Sequence, residues 1–356
     1  MLRPGTGAGR GTGEVRDRLD MKGPAIPAGK AVPQTSAGEP TFPRVVVLSG
    51  GFGGARLIPA MGEIVPSGSL TVIANVGDDL AWFGLRVCPD VDSILYSLAG
   101  LWDQAAGWGL RGETFRVRDS LADLDCGPWF NVGDRDLAFH LLRTDLLQSG
   151  LTLTEATREL ARRLGIQHVE VIPASDQPGE THVMLEDGRV LHFQEWYVKE
   201  RAQPQVRRPR VARGPASPAA LEALRTADAV ILGPSSPVAS IGPILALDEV
   251  SDAVRRAPCR IAVSPVVLGT GPVDDAVGHH ARARQRLLAA DGAADAPPDI
   301  AKRYKRLVEY FVLDRKDHQY VTAIKRLALT PVTCDLLNPR ELARLLVRLS
   351  TQGESA

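Results

Sequence analysis

What is scarce in this chain narrows the field first. Only four of its 356 residues are cysteine, and Cys88, Cys126, Cys259 and Cys334 lie far apart. No CxxC spacing occurs, which excludes the usual zinc, iron-sulfur and dithiol redox motifs. The four read as reduced thiols of a cytoplasmic protein. No run approaches the roughly 18 consecutive apolar residues of a membrane helix, and the start lacks the apolar core of a secretion signal. Neither charge is in excess, since 42 Lys and Arg balance 42 Asp and Glu. The fold as a whole offers no electrostatic funnel to nucleic acid or an anionic membrane, so any anion must be bound locally. A GxSxG elbow is also missing, which argues against a serine hydrolase.

At 44% hydrophobic, the chain can bury a large core. Residues 1–40 are rich in Gly, Pro, Ala and charge with few aliphatic clusters, and read as a disordered leader. Translation from Met21 would shorten that leader without touching the fold. From residue 41 to 350 the texture is that of one α/β domain. RVVVL is a buried strand, ARLIPAMGEI a helix and SLTVIAN a second strand, a βαβ opening. DRDLAFHLLRTDLLQSG places Leu137, Leu141, Leu142, Leu146 and Leu147 at helical spacing before Gly150, which predicts an amphipathic helix with a leucine face. Thr152 and Glu155 form a capping box, and Gly165 stops the helix that follows. An insertion around 175–215 interrupts the pattern, because THVMLEDGRVLHFQEW alternates about Asp187-Gly188 as a hairpin does. Ser217-Pro218 opens another helix, and DAVILG, LDEVSDAVRRA and CRIAVSP resume the alternation. A mostly parallel sheet covered on both faces follows, with ligands expected beyond the strands' carboxyl ends.

The first strand ends in SGGFGGARL. Gly51 and Gly53 fit the first two positions of the dinucleotide fingerprint GxGxxG, but Arg56 stands at the third. No Lys-Ser or Lys-Thr follows, so the nucleotide-hydrolase P-loop is excluded too. The physics of the loop survives: Gly50, Gly51, Gly53 and Gly54 expose backbone amides at a helix start, and Arg56 adds a grip on phosphate. The bland alternative is a turn that only reverses the chain. Two later strand ends, PSSPVASIGPIL and SPVVLGTGP, bring Ser235, Ser236, Ser240, Gly242, Ser264, Gly269 and Gly271 to the same sheet edge. Three such loops can surround a nucleotide diphosphate.

Asp78, Asp79, Asp90 and Asp92 fall within fifteen residues after the second strand. Acids this dense are costly to hold together without a cation, and magnesium suits hard carboxylate ligands. Turn capping and a helix start are the structural alternative. Asn131, Asp134, Arg135 and Asp136 sit at the start of the leucine-rich helix, as caps or as a polar wall for substrate hydroxyls. His140, His182 and His192 lie in regular elements and read as structural.

Eight segments in order, GGFGGARL, IANVGDD, GLRVCPDVDSILYSLAGL, WFNVGDRDLAFHLLRT, SDQPGETHV, HFQEWYVKERAQP, PSSPVASIGPIL and SPVV, resemble the 2-phospho-L-lactate transferase family of deazaflavin coenzyme F-420 biosynthesis. The likeness runs from about Val45 to Pro265 and then weakens. It implies a Rossmann-like three-layer α/β body with a smaller inserted part, commonly a homodimer. It also implies a magnesium-dependent reaction in which a guanylyl diphosphate carrying a small acid gives its phospho-acid group to the ribityl hydroxyl of the deazaflavin Fo, releasing GMP. The acid is phospholactate, phosphoenolpyruvate or 3-phosphoglycerate. The resemblance puts the nucleotide on Gly51, Gly53, Gly54, Ser235, Ser236 and Ser240, and Fo on Asp92 and Asn131. Asp78, Asp79 and Asp90 become the magnesium candidates, with Asp92, Asp90 and Arg56 nearest the chemistry. Ser236 stands where many members have Asn, and Phe139 where many have Thr. An NAD(P)-dependent oxidoreductase is the alternative, resting on the βαβ opening and acids roughly 25 residues beyond the glycines.

Overall fold

The computed structural model describes residues 42–267 and 276–351. The expected leader, and Gly269 and Gly271 of the third loop, lie outside the described residues. The chain opens with β1 (Val45–Ser49), α1 (Gly51–Gly62) and β2 (Leu70–Ala74). A short hairpin, β3 (Leu80–Trp82) and β4 (Leu85–Val87), leads into α2 (Pro89–Leu98), α3 (Arg116–Asp123), α4 (Asp134–Gln148), α5 (Leu153–Arg163) and β5 (Glu170–Pro173). Then come β6 (His182–Leu185), β7 (Val190–His192) and β8 (Val206–Arg210). Alternation resumes with α6 (Pro218–Arg225), β9 (Ala229–Leu232), α7 (Ile241–Ala246), α8 (Val250–Arg256), β10 (Cys259–Val263) and α9 (Ala276–Ala290). The last elements are α10 (Pro297–Tyr304), β11 (Tyr310–Asp314), α11 (Val321–Lys325), β12 (Thr330–Cys334) and α12 (Pro339–Thr351).

Seven strands form one parallel sheet in the order β12-β11-β10-β9-β1-β2-β5. Every residue of β1 and β9 is buried, so both faces are covered and the apolar runs have no polar side to alternate with. Successive strands run outward from β1 in one direction through β2 and in the other through β9. That reversal makes the crevice between the ends of β1 and β9 a topological switch point.

Local chemistry explains the helices that frame this crevice. α1 starts at Gly51, directly after the strand, and carries Pro59 inside it. Proline has no N–H to give to the carbonyl of Ala55, four residues back, and that carbonyl instead accepts from Ser97 Oγ on α2. The missing helical bond thus becomes a link between α1 and α2. The capping box of α5 is formed, with Thr152 Oγ1 accepting from Glu155 N–H and the Glu155 carboxylate accepting from Thr152 N–H. Ser217 caps α6. Among the described residues, no helix is long and apolar enough to cross a membrane.

The inserted part departs from expectation in two respects. The hairpin turns at Gly188, whose φ of +89° needs glycine, but the strand ends at His192. Phe193, Trp196 and Tyr197 have helical i, i+3, i+4 spacing, and a π-helical turn over Glu195–Lys199 follows, with Trp196 wholly buried. The third strand of the small sheet, β8, pairs with β6 and carries VRRPR. Its charge and its proline suit an edge strand and hide it from any apolar alternation.

The leucine face of α4 packs at four of its five positions, with Leu146 buried, Leu142 and Leu147 against the main core and Leu137 against a smaller cluster, but a polar stripe is buried beside it. Leu141 is 52% exposed, while Asp136, His140, Arg143 and Thr144 are buried beside Leu146. These polar residues recur at i, i+4, i+7 and i+8, so the helix turns its polar stripe inward. A buried polar stripe is informative in a way an exposed leucine is not.

Candidate functional site

The loops after β1, β9 and β10 and the start of α2 meet around a cavity of about 840 Å³ at the switch point. Gly50 just ahead of α1 and Gly51, Gly53 and Arg56 on it line one side, and Ser235, Ser236, Ser240 and Ser264 line it from the loops opposite. Asp78 and Asp90 form part of the wall, with Phe130 and Asn131 from the segment before α4. The inserted part adds Phe193, Gln194, Tyr197 and Arg201, and α9 adds His280, Arg282 and Arg284. Sequence reasoning missed these last two groups; the helical spacing of Phe193, Trp196 and Tyr197 was the available signal for the first.

Close approach explains the glycines. A Cβ on Gly53 would lie 2.2 Å from the Pro234 carbonyl oxygen, and one on Gly51 would lie 2.7 Å from Asp90 Oδ1. Gly54 does not line the cavity. Its missing side chain lets α1 pack on Ser49 and Ile94, the role that the absent third fingerprint glycine plays elsewhere. Several donors and acceptors in the loop are already used. Gly50 N–H donates to Ser235 Oγ at 2.9 Å, Gly51 N–H to the Asp90 carboxylate, and Gly54 N–H to the Gly50 carbonyl. Phe52 and Gly53 N–H remain without an acceptor among the described residues, at the positive end of a twelve-residue helix. Ser235 therefore staples two loops together, Ser236 Oγ accepts from Ala239 N–H, and Ser240 stands against Gly50.

The four clustered acids divide into two pairs facing opposite ways. Asp78 and Asp90 face the cavity, and one amide joins them: Asn75 Nδ2 donates to Asp78 Oδ1 at 3.1 Å and to Asp90 Oδ2 at 2.9 Å. Gln194 Nε2 donates to the other Asp78 oxygen at 2.9 Å. Burial, then the charges of Asp90 and Asp79, raise Asp78 well above the usual carboxylate range. Burial raises Asp90 to about 6 against the hydrogen bonds from Asn75 and Gly51. Asp79 and Asp92 face away from the cavity. Asp79 is wholly buried and paired with Arg86 at 2.8 Å; burial raises it to about 7, with Arg86 pulling it down. Asp92 is held by Arg143.

Two expectations are corrected by this division. Asp79 does not join Asp78 and Asp90 in a three-carboxylate set, and no group of three His, Cys, Asp or Glu is placed to hold a metal among the described residues. Asp92 does not line the cavity, because its carboxylate is committed to Arg143 behind α2. The hairpin of β3 and β4 brings the acids together by folding the chain back between Asp79 and Pro89. Its turn, Phe83 at φ +48° and Gly84 at φ +79°, was signalled by Leu80, Trp82, Leu85 and Val87 around Phe-Gly.

The Asp78 and Asp90 pair fits magnesium. Two oxygen donors side by side at an open wall, each disfavoured as an anion by burial, match an ion that keeps waters and phosphate oxygens as its other ligands. The site can thus receive an anion along one side and a hard cation along the other.

Comparison with known proteins identifies the family. The family described as 2-phospho-L-lactate transferase CofD matches residues 45–351. A phosphoenolpyruvate transferase of Streptomyces griseus is 36% identical over 282 residues, spanning 77% of this chain and 86% of that protein. The phosphoenolpyruvate transferase of Nocardia farcinica is 40% identical over 278 residues, 71% of this chain and 83% of that one. A 2-phospho-L-lactate transferase of Methanosarcina acetivorans is 34% identical over 313 residues, 86% of this chain and 98% of that one. Among solved structures, a UPF0052-family protein from Bacillus halodurans has a TM-score of 0.55 at 15% identity, covering 87% of this chain and 100% of that one, a likeness of fold. With the match extending through nearly all the described residues, the chain belongs to the 2-phospho-L-lactate transferase family.

Proposed function

We propose that this transferase moves a phospho-acid group from a guanylyl diphosphate donor to the ribityl hydroxyl of Fo, with magnesium, in coenzyme F-420 biosynthesis. The attacking hydroxyl oxygen forms a new bond to the acid-bearing phosphorus, the bond from that phosphorus to the oxygen of GMP breaks, and the hydroxyl proton is released. One observation supports the reading above all others: the start of α1, Arg56 and the Asp78/Asp90 pair share one cavity at the switch point. Phosphoryl transfer asks chiefly for in-line positioning and for positive charge on the transferred oxygens.

In this reading Phe52 and Gly53 N–H receive the diphosphate, and Arg56, which forms no ion pair among the described residues, clamps it. Asp78 and Asp90 would hold magnesium, which when bound neutralises charge on phosphate oxygens. Asn131 and Phe130, on another part of the wall, suit the polar and ring portions of Fo. The cavity is at the upper end of the range for small-molecule sites, as two large substrates require. Nothing in the comparisons supports the oxidoreductase alternative.

The test offers Fo, magnesium and guanylyl diphosphates bearing each of the three acids in turn to the purified chain. A mass gain on Fo with release of GMP is expected for one of them. No mass gain with any acid contradicts the proposal. A homodimer belongs to the same reading, and light scattering checks it.

A further inference from the structure

Asp90 and Asp92 lie two residues apart in the first turn of α2, which puts them on opposite sides of the helix. Asp90 lines the cavity, whereas Asp92 is 4% exposed and faces α4. There it meets Arg143, a guanidinium with no solvent exposure. Nη1 donates to Asp92 Oδ2 at 3.0 Å and Nη2 to Asp92 Oδ1, a two-pronged contact. Nη1 also reaches the Arg86 carbonyl of β4 at 3.4 Å. The same helices are joined a second time. His140 Nε2 lies 3.3 Å from Asp136 Oδ1, which accepts from Tyr96 Oη on α2.

A buried ion pair is a poor device for stability, because well-packed apolar residues commonly do as well. Its distinctive property is geometry: a planar fork on a carboxylate fixes direction as well as distance. Resting on the functional reading above, we infer that Arg143 is a positioning residue, which through Asp92 fixes the rotation of α2 and so holds Asp90 toward the cation and phosphate side of the cavity. It does not line the cavity. α4, which carries Arg143, begins just after Phe130 and Asn131, so the contact ties two parts of the cavity wall together.

The test compares full-length wild type with Arg143→Lys, which keeps the charge and loses the fork, and with the doubly neutral Asp92→Asn/Arg143→Gln. Three quantities are read: Mn2+ affinity of the substrate-free protein by electron paramagnetic resonance, kcat, and KM for Fo. Arg143→Lys is expected to bind Mn2+ at least fivefold more weakly and to lose at least tenfold in kcat, with KM for Fo within threefold. The double variant should share both defects although it buries no unpaired charge. A folded Arg143→Lys, or a folded double variant, with Mn2+ affinity and kcat within twofold of wild type overturns the inference and leaves the functional reading intact. Failure of both to fold also overturns it, since the pair would then serve the fold itself. Wild type that binds no Mn2+ refutes the functional reading and the inference together.

Discussion

Replacing Gly53 by alanine tests the closest approach in the site. The added methyl would lie 2.2 Å from the Pro234 carbonyl oxygen, 2.8 Å from its carbon and 2.8 Å from Ser235 Oγ. Favourable contacts between heavy atoms lie near 3.5 Å, so the backbone of the β9 loop must retreat by about 1 Å. Two of the three obstructing atoms are backbone, which has no rotamer to escape into. Overpacking of this kind costs about 1–3 kcal/mol, against a gain of up to about 1 kcal/mol for alanine over glycine in a helix. The net expectation is a loss of about 1 kcal/mol in urea denaturation at unchanged m-value. Binding should suffer more, because Gly53 and Ser235 line the same part of the cavity. A shift of that size between facing loops should raise the GDP dissociation constant at least about tenfold in calorimetric titration, equivalent to about 1.4 kcal/mol. Gly214→Ala is the control, since nothing lies within 4 Å of its added methyl; it should be neutral or stabilising by up to about 1 kcal/mol. Gly53→Ala with wild-type stability and wild-type GDP affinity would refute both the packing argument and the placement of the nucleotide.

Arg56→Ala should weaken GDP by roughly tenfold to a hundredfold in the same titration, the worth of a charge-assisted hydrogen bond, with the urea midpoint unchanged because the side chain is exposed. Asp78→Asn removes the buried member of two apposed acids, so the metal-free protein should melt no lower than wild type, while the rise in melting temperature on adding magnesium disappears. Asn75→Leu, which strips the amide shared by Asp78, Asp90 and the Ala239 carbonyl, should lower stability by about 1–3 kcal/mol in denaturant titration and abolish that magnesium response. Arg162, helped by Arg163 against slight burial, holds Glu159 down at about 2 from an ordinary 4.5. Its stabilisation is present above the unfolded value and lost as pH falls toward the folded one, so Glu159→Gln should cost under about 1 kcal/mol at pH 7 and progressively less below pH 4.5.

The parts of the fold legible in the sequence were those with local signatures. Gly-rich and Ser-rich strand ends, the Thr152 to Glu155 box and the Asp187-Gly188 turn each state their geometry within a few residues, and the loops that were expected to meet do line one cavity. What escaped was set by distant partners. Adjacent Asp78 and Asp79 look alike in sequence, and only Arg86 on one side and Asn75 and Gln194 on the other decide which faces the cavity. In α4 the leucine spacing names a face that does pack, but not the polar stripe buried beside it, because Asp92 and Asp136 determine that His140 and Arg143 point inward. β8 was invisible because a strand that is charged and broken by Pro209 has no period to detect.

The most direct measurement is a crystal structure of the protein with GDP and Mn2+, read by anomalous scattering. The account predicts the diphosphate at the start of α1 beside Arg56, and the manganese peak at Asp78 and Asp90. A nucleotide lodged away from α1, or manganese at Asp79 or Asp92, would contradict it.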